Sequence, residues 1–404
     1  MKVLLSAYAC APGLGSEAEV GWNWVQQWAR QHDVWVITRA NNRGRIEEGL
    51  RHNPAPRARF VYLDLPKPLR FWKNCLGGIH IYYYFWQLFA YRKARRLHQR
   101  VGFNLVHHVT FCTYWLPSFM ALLRTPFIWG PVGGGESTPK SFRPALSLRG
   151  RMYEFFRDIG QWIGGMDPAV RMTARRASLA LATTGDTAVQ LRRLGCRHVH
   201  VLSQLGISRE ELERIQPEEQ HSNGHLRLLS VGNLLHFKGF HLALRAVAQA
   251  GNSVPSLEYT IYGEGPERNA LERLANELGI AERVHFHDPI PREKLMREMA
   301  GFDAMIHPSL HDSGAFVCLE AMTAGCVVVC LDLGGPALQV TEQTGIKVPA
   351  VSPEQAIRDL ATAIERLAGD ANLRKQLARA ARERVENTFV WDKKLDRLQE
   401  VYEN

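Results

Sequence analysis

Short apolar runs alternate with amphipathic segments along the first half of the chain. Residues 2–9 are typical of a buried strand, residues 17–31 of a helix and residues 34–38 of a second strand. A strand, a glycine-containing loop, a helix and a further strand form the opening βαβ unit of a doubly wound parallel sheet. More strands are predicted at residues 60–63, 105–108, 127–129, 179–183 and 198–202.

A second α/β series follows a polar stretch. Residues 206–225 are rich in Glu and contain Pro217, which indicates a linker with a solvated helix. Beyond it the pattern predicts strands at residues 226–231, 257–262, 284–287, 304–307 and 327–329. Helices are predicted at residues 240–250, 353–367 and 371–387, and a short one from Arg292. We therefore expect a first domain at 1–205, a linker at 206–225, a second domain at 226–387, and a helix in 388–404 that packs back on the first domain.

Composition supports two domains and adds a charge asymmetry. A chain of 404 residues, 46% hydrophobic and 22% charged, suits two globular cores of roughly 200 residues each. Residues 1–200 hold 28 Lys and Arg against 11 Asp and Glu, whereas residues 201–404 hold 22 against 29. The basic first half indicates an anionic partner: a membrane, a nucleic acid or a phosphorylated substrate.

The seven cysteines and the lengths of the apolar runs indicate the cellular compartment of the protein. The number of cysteines is odd and no CxxC occurs, which predicts buried free thiols in a reducing cytosol. The first eleven residues faintly resemble a secretion signal, but their apolar run is short, so a first core strand is favoured. Residues 79–91 are too few and too polar to span a membrane. We expect a cytoplasmic protein.

Glycine-rich loops follow several predicted strands. They lie at residues 12–16, 130–136, 263–266 and 313–314. Ligands of open α/β sheets bind at the carboxyl ends of the strands, so four such loops indicate a site, although glycines can also simply end strands. In residues 307–335, Asp312 and Glu320 flank the start of a predicted helix. A helix N-terminus can hold phosphate, and carboxylates can bind sugar hydroxyls.

Several motifs together resemble one known family. Asp312-x7-Glu320, followed by AMTAG and LDLGG, resembles the E-x7-E region of retaining glycosyltransferases of family 4, which have the GT-B fold. The same family is resembled by VGNLLHFKG (231–239), YGEGPER (262–268) and APGLGSE (11–17), and WGPVGGGE (129–136) is similar to a subgroup of bacterial polysaccharide pathways. The resemblance covers essentially the whole chain. It implies an α/β protein of two Rossmann-like doubly wound domains that face a central cleft.

The resemblance implies roles for residues of the second domain. Lys238 would contact the donor diphosphate, Asp312 the hydroxyls of the donor sugar, and Glu320 the ribose hydroxyls. Ile290 would lie at the backbone contact to the base. The backbone N–H groups that would bind phosphate belong to the start of the helix: Gly314, Ala315, Phe316, Val317 and Cys318.

Two positions depart from the family pattern. Asn233 stands where Arg is usual, so one of two phosphate cations is missing. Either a nearby Arg replaces it or turnover is weak. Asp312 stands where Glu is usual, and its side chain is shorter by one methylene, which would alter sugar preference or geometry.

The first domain carries the remaining candidates. Gly13 and Gly15 would let the backbone approach the donor phosphate or the acceptor. The family commonly has an H-x-H pattern in this region, and the adjacent His107 and His108 depart from that spacing. Either could contact donor sugar or acceptor, the alternative being a core histidine at a strand end. Glu136 is a candidate for acceptor hydroxyls. We expect no obligate metal, because no cluster has metal-ligand spacing and no Asp-x-Asp occurs.

Two basic stretches are interleaved with aromatic residues. Residues 68–100 and 142–176 combine Arg and Lys with Phe, Tyr and Trp. This composition suits peripheral contact with an anionic membrane, the alternative being amphipathic core helices with a solvated basic face. Nucleic acid is disfavoured because no recognition fold is visible.

The sequence thus predicts a retaining glycosyltransferase. It would move a sugar from a nucleotide sugar, a UDP-sugar being favoured, to a lipid-linked or polysaccharide acceptor. Two alternatives stay open: a GT-B sugar-nucleotide epimerase, and a catalytically degenerate nucleotide-binding homologue. An NAD-dependent dehydrogenase is excluded because no G-x-G-x-x-G follows a strand with an acidic residue about twenty positions later.

Overall fold

The computed structural model of the protein describes residues 1–14, 16–66, 78–217 and 225–403. Gly15, Cys75, the start of the first basic stretch and residues 218–224 of the expected linker lie outside the described residues. The chain divides into two compact units. Unit 1 consists of Met1–Gly135, Arg157–Gln204 and Leu395–Asn404, and unit 2 of Glu136–Phe156 and Leu205–Lys394.

Unit 1 is built on a seven-stranded parallel sheet. Its strands are β1 (Lys2–Ala7), β2 (Asp33–Arg39), β3 (Ala58–Leu63), β4 (Leu105–Thr110), β5 (Phe127–Val132), β6 (Leu179–Ala182) and β7 (Val199–Val201). They lie in the order β3-β2-β1-β4-β5-β6-β7. Strands β4 and β5 are buried at every position, as a sheet covered on both faces requires.

The described residues of this part of the chain form six α-helices. They are α1 (Ser16–Gln31), α2 (Arg43–His52), α3 (Gly78–Val101), α4 (Leu148–Met166), α5 (Pro168–Arg176) and α6 (Gly185–Leu194). Helix α3 extends over 24 residues and buries Tyr82, Tyr83 and Trp86 in the core of unit 1. The boundary between the two units falls within α4.

Unit 2 is built on a six-stranded parallel sheet. Its strands are β8 (His225–Val231), β9 (Ser256–Tyr262), β10 (Val284–His287), β11 (Ala304–His307), β12 (Val327–Leu331) and β13 (Gly345–Val348), in the order β10-β9-β8-β11-β12-β13. After α6 the chain forms the helices α7 (Arg209–Arg214), α8 (Phe240–Ala250), α9 (Arg268–Glu277), α10 (Arg292–Met299), α11 (Phe316–Thr323), α12 (Gly334–Gln339), α13 (Pro353–Gly369), α14 (Ala371–Arg384) and α15 (Trp391–Glu403). The boundary between the units falls within α15, because the residues from Leu395 onwards belong to unit 1.

The segment Glu136–Phe156 packs within unit 2, although the unit 1 strands β6 and β7 follow it in the chain. Phe142 and Leu146, which are 1% and 7% exposed, belong to the same hydrophobic core as Leu226 and Phe240. The expected domain bounds assigned this segment to the first domain. The structure therefore differs from that expectation by giving unit 2 a piece of the first half of the chain.

The prediction of two Rossmann-like parallel-sheet domains is confirmed. Part of the expected linker is helical: α7 (Arg209–Arg214) begins with a capping box formed by Ser208 and Glu211. None of the helices in the described ranges combines the length and the apolar character needed to cross a bilayer.

Candidate functional site

Three neighbouring strands of unit 2 end at the loops that carry the predicted site residues. Strand β8 leads to Lys238, β11 leads to Asp312, and β12 leads to the start of α12. These strands are adjacent and parallel, so their carboxyl ends meet at one edge of the sheet. The fold thereby brings together Lys238 and Asp312, which are 74 positions apart in the sequence.

Lys238 and Asp312 form a partly buried ion pair. The Lys238 Nζ donates to Asp312 Oδ2 at 2.5 Å, and the two side chains are 20% and 15% exposed. The imidazole Nε2 of His307 lies 3.4 Å from the same carboxylate oxygen. Burial acts to raise the pKa of Asp312, but Lys238 and His307 outweigh it and hold that pKa well below its usual range. Asp312 is therefore a stable anion that fixes the ammonium of Lys238.

The second oxygen of Asp312 binds the backbone ahead of α11. Its Oδ1 accepts from the N–H groups of Gly314 and Ala315 at 3.2 and 3.0 Å. The Cys318 N–H donates to the Ala315 carbonyl at 3.0 Å. These three amides are engaged within the protein, which differs from the expectation that they stand open to phosphate. The amides of Phe316 and Val317 belong to the first turn of α11, where backbone N–H groups have no acceptor within the helix.

Two glycines permit the close approach of these loops. Gly239, directly after Lys238, has φ +70°, and a Cβ there would lie 2.0 Å from the Pro308 carbonyl oxygen. Gly334, at the start of α12, has φ +56°, and a Cβ there would lie 2.3 Å from the Asp312 carbonyl oxygen. Any other residue would force the loops apart, so the glycines of the two motifs hold the site together.

Glu320 lies on α11 and is 4% exposed. Its Oε1 accepts from the Nε of Arg292 at 2.5 Å. Burial raises the pKa of Glu320, and the nearby Arg292 partly offsets this effect. A carboxylate held in this way has a fixed orientation, which suits an acceptor of two adjacent hydroxyls.

Arg292 and Glu211 are site residues that sequence reasoning missed. Arg292 bridges two carboxylates, since its Nη1 also donates to Glu211 and its guanidinium lies 4.7 Å from the Phe316 ring centroid. The capping box formed by Ser208 with Glu211 was a readable signal for α7. The local sequence pattern did not predict the contact between Glu211 on α7 and Arg292 on α10, because the two helices meet only in the tertiary structure.

The remaining unit 2 candidates have varied surroundings. Asn233 is exposed, and its main-chain carbonyl accepts from the Leu235 N–H at 2.8 Å. Ile290 is half-buried in the turn between β10 and α10. Glu136, expected to serve an acceptor, is 3% exposed and belongs to unit 2. Its Cγ lies 3.3 Å from the position that a Cβ of Gly334 would take, so Glu136 borders the Asp312 loop.

His107 and His108 lie on β4 and are fully buried in unit 1. The Trp28 Nε1 donates to His107 Nδ1 at 3.2 Å, and His107 Nε2 lies 2.6 Å from the Gly130 carbonyl. His108 contacts Tyr83 and Ser6 through its two nitrogens. Burial lowers the pKa values to about 4 and about 3, respectively. Both rings therefore have the surroundings of neutral core histidines, the alternative reading of this pattern.

A half-buried carboxylate, Glu17, follows the glycine loop after β1. Gly13 is exposed with φ +69°, and its N–H donates to Glu19 Oε2 at 2.7 Å. Glu17 accepts from the backbone N–H of Phe111, a non-glycine residue with φ +58°. Burial raises the pKa of Glu17. Sequence reasoning named the loop but not the link from Glu17 to Phe111.

The described cysteines are buried and unpaired. Six described cysteines are buried free thiols, namely Cys10, Cys112, Cys196, Cys318, Cys326 and Cys330. Within the described ranges, no group of three or more His, Cys, Asp or Glu side chains is arranged to hold a metal ion. The absence of an obligate metal stays a prediction.

Solved structures share the architecture of the whole chain. A sucrose-phosphate synthase from Thermosynechococcus elongatus aligns with a TM-score of 0.64 at 18% identity and covers 100% of this chain and 98% of its own. Anabaena HepE in complex with UDP and glucose aligns with a TM-score of 0.63 at 16% identity over 100% and 99% of the two chains. At such identities the likeness concerns the fold. That fold is the GT-B fold of glycosyltransferases.

The sequence of unit 2 carries the family signal. Residues 212–384 match the family model "Glycosyl transferases group 1". The D-inositol 3-phosphate glycosyltransferase of Corynebacterium diphtheriae is 35% identical over 179 residues, which are 43% of this chain and 41% of that protein. Glycogen synthase of Mycobacterium tuberculosis is 29% identical over 44% of this chain and 42% of its own. The chain spans about two fifths of the length of these curated relatives.

The sequence of residues 212–384 is thus similar to that of glycosyl transferases group 1 domains. The matched range contains Lys238, Asp312, Glu320 and Arg292. Glu211 lies directly before it, and the Glu136–Phe156 segment of unit 2 lies far upstream of it.

Proposed function

We propose that the protein is a retaining glycosyltransferase of the family 4 type that transfers a sugar from a UDP-sugar to a lipid-linked or polysaccharide acceptor. The observation that carries this proposal is the Lys238–Asp312 ion pair in the loops at the carboxyl ends of β8 and β11. The distance between Nζ and Oδ2 is 2.5 Å. An ammonium at the end of a parallel strand is suited to a diphosphate leaving group, whose charge develops in the transition state.

The surroundings of Lys238 support a nucleotide-sugar site. Glu320 is buried, oriented by Arg292, and suited to accept from the two ribose hydroxyls. Asp312 would contact donor-sugar hydroxyls once a diphosphate shares the ammonium of Lys238. The first-turn amides of Phe316 and Val317 would face phosphate oxygens. A contact between the main chain of Ile290 and the base completes the donor site that we propose.

UDP is our choice of nucleotide because the neighbouring fold of Anabaena HepE is described with UDP, with UDP and glucose, and with UDP-glucose. Retention of configuration rests on the resemblance of Asp312-x7-Glu320 to the E-x7-E region. The polysaccharide-type acceptor rests on the WGPVGGGE motif. Two structural neighbours, WaaB and WaaG, are described as lipopolysaccharide glycosyltransferases, with TM-scores of 0.64 and 0.58.

Helix α4 supports a peripheral contact with an anionic membrane, which would suit a lipid-linked acceptor. One face of this helix exposes large apolar side chains: Leu148, Met152, Phe155, Phe156, Ile159, Trp162, Ile163 and Met166. Their spacing of three and four residues is that of a single helical face. Arg149 and Arg151 on the same helix are exposed cations. Apolar insertion and basic charge together favour an anionic interface at the inner face of the plasma membrane.

The donor site is tested by nucleotide binding and turnover. UDP and GDP should each be titrated against the purified protein by thermal shift, followed by a screen of nucleotide-sugar hydrolysis. We expect UDP to raise the unfolding temperature and Glu320→Ala to abolish that rise. Glu293→Ala is the matched control, because that carboxylate is also in unit 2 but its side chain is 77% exposed.

The outcomes separate the alternatives. If the wild type binds neither nucleotide, the glycosyltransferase proposal is wrong. Release of a changed sugar without an acceptor would instead indicate an epimerase, and binding without any turnover of a broad set of donors would indicate a degenerate homologue.

The membrane contact is tested by flotation with vesicles of phosphatidylglycerol and phosphatidylcholine at low salt. Wild-type protein is expected to float, and Phe155→Ser with Trp162→Ser is expected to remain at the bottom. Val351→Ser is the control, since Val351 is an equally exposed apolar residue, 66% exposed, outside α4. Wild-type protein that fails to float would contradict the proposal.

A further inference from the structure

Glu154, a buried carboxylate of unit 2, lies between two histidines that neither the sequence nor the family match singled out. Its Oε1 accepts hydrogen bonds from the Nε2 atoms of His236 at 3.3 Å and His311 at 3.2 Å. The Glu154 side chain is 1% exposed, and the two imidazoles are 13% and 11% exposed. A carboxylate so deeply buried is costly unless its partners are fixed by the fold.

The cluster is tightly packed by aromatic rings. Tyr153 meets the His236 ring edge-on at 5.1 Å, and Phe237 stacks on His311 at 4.2 Å between ring centroids. A Cβ added to Gly150, one turn before Glu154 on α4, would lie 3.0 Å from the His236 ring. Helix α4 therefore approaches the His236 loop as closely as glycine permits.

The two histidines stand beside the two members of the Lys238–Asp312 pair. His236 is two residues before Lys238 in one short 3-10 turn, and His311 directly precedes Asp312. Main-chain bonding links the same two loops, since the Leu310 N–H donates to the Phe237 carbonyl at 2.8 Å. A single oxygen of Glu154 thus contacts both loops.

We propose that Glu154 is a positioning residue that fixes the spacing between Lys238 and Asp312 for a nucleoside diphosphate. It acts through His236 and His311 and does not itself touch the ligand. The inference rests on the proposed function and deepens it, because it assigns control of the diphosphate contact to a residue outside the range 212–384. The start of α4 would then be an obligatory part of the donor site.

The experiment compares UDP with UMP on the full-length protein, since only the diphosphate is long enough to need a correctly placed Lys238. Dissociation constants would be measured by calorimetry for the wild type, Glu154→Gln and Glu154→Asp. We expect Glu154→Gln to weaken UDP binding about tenfold, the range of one charge-assisted hydrogen bond, while UMP binding stays within about twofold. The shorter carboxylate of Glu154→Asp should restore part of the UDP affinity.

Two further variants serve as a positive control and a stability control for Glu154→Gln. Lys238→Ala should show the same selective loss for UDP, because it removes the cation itself. Leu360→Ala opens a cavity in the unit 2 core, far in sequence from both loops, and should lower the unfolding temperature without changing the ratio of the two dissociation constants. Combining Glu154→Gln with His311→Ala should cost less than the sum of the single changes, because both act through one contact.

Each outcome decides the matter. Equal losses of UDP and UMP affinity in Glu154→Gln, or no loss of either, would overturn the positioning role while leaving the proposed function intact. If the wild type binds UDP and GDP no better than buffer controls, the proposed function falls and the positioning role falls with it.

Discussion

The ammonium of Lys238 lies 2.5 Å from Asp312 Oδ2, and the same carboxylate holds two backbone N–H groups ahead of α11 through its other oxygen. Asp312 therefore joins the end of β8 to the start of α11. A ligand that draws Lys238 away must compete with this contact, so the pair keeps the cation oriented in the absence of a phosphate.

Asp312→Asn should lower the free energy of unfolding by about 1–3 kcal/mol at pH 7, because it leaves the partly buried Lys238 without its counter-charge. The pKa of Asp312 is depressed in the folded state, so its stabilising contribution is present above the ordinary pKa of about 4 and is lost as the pH falls below it. Urea unfolding at several pH values measures the difference.

The control for this prediction is Asp332→Asn. Asp332 pairs with Lys347 at 3.2 Å, and the two side chains are 49% and 27% exposed. An exposed pair of this kind contributes about 0–1 kcal/mol. Equal effects of the two substitutions would contradict a special role for the Lys238–Asp312 contact.

Arg292→Met should make stability fall as the pH rises. Without the guanidinium, the burial of Glu320 raises its pKa further, so the folded state holds a proton that the unfolded state releases. The stabilising contribution is then present at pH 4 and is lost as the pH rises through the raised pKa. We expect the variant to lose about 1–3 kcal/mol relative to wild type at pH 8, and less at pH 5.

Arg214→Met serves as the matched substitution. Arg214 pairs with Glu293 at 3.5 Å, with side chains that are 61% and 77% exposed. Its effect on the free energy of unfolding should be below about 1 kcal/mol and flat between pH 5 and pH 8. A flat profile for Arg292→Met as well would show that Glu320 does not depend on Arg292.

Gly239→Ala should destabilise the protein and weaken UDP binding together. The residue has φ +70°, and its new Cβ would lie 2.0 Å from the Pro308 carbonyl oxygen, so the Lys238 loop must move. We expect a loss of more than about 1 kcal/mol of stability, measured by urea unfolding. Gly44→Ala on α2 is the control: a Cβ there meets nothing within 4 Å, and alanine should be neutral or stabilising by up to about 1 kcal/mol.

Lys394→Met should stabilise the protein at neutral pH. Lys394 is 1% exposed, and burial lowers its pKa to about 7. Its charged form is disfavoured by the fold, so stability is lowest below pH 7 and recovers as the pH rises towards the ordinary lysine pKa. We expect a gain of about 1–3 kcal/mol at pH 7, reduced by the lost hydrogen bond to the Leu205 carbonyl.

Lys393→Met tests the same chemical change at the neighbouring exposed position. It should leave the free energy of unfolding within about 0.5 kcal/mol of wild type at every pH. A loss of stability in Lys394→Met would mean that the hydrogen bond to Leu205 outweighs the cost of burying the ammonium.

The local pattern was sufficient for the elements that carry the candidate site residues. Residues 240–250 were predicted as a helix and form α8 (Phe240–Ala250), and the predicted helix start at Arg292 is the first residue of α10. Such elements follow from the periodicity of apolar residues, which is a property of neighbouring positions. The motif glycines were likewise readable, since positive φ and close approach favour glycine wherever they occur.

Contacts between distant segments were not readable in this way. Nothing near Arg292 indicates that it bridges Glu211 and Glu320, and nothing near Glu154 indicates His236 and His311. Each of these side chains fits its own helix or loop equally well with other partners. One sequence records which residues are apolar, but a pairing across tens of residues is decided by how the elements pack.

The amino-acid sequence by itself determined two parallel α/β domains and the glycine loops at the strand ends. It also identified Lys238, Asp312 and Glu320 as candidate site residues. Only the tertiary structure decided that Asp312 holds Lys238, and that His107 and His108 are buried with both ring nitrogens in contact with neighbouring groups. It also decided that Glu136–Phe156 belongs to unit 2. The reason is physical: periodicity sets which face of an element is buried, whereas the partner of a buried polar group is set by the segment that packs against that face.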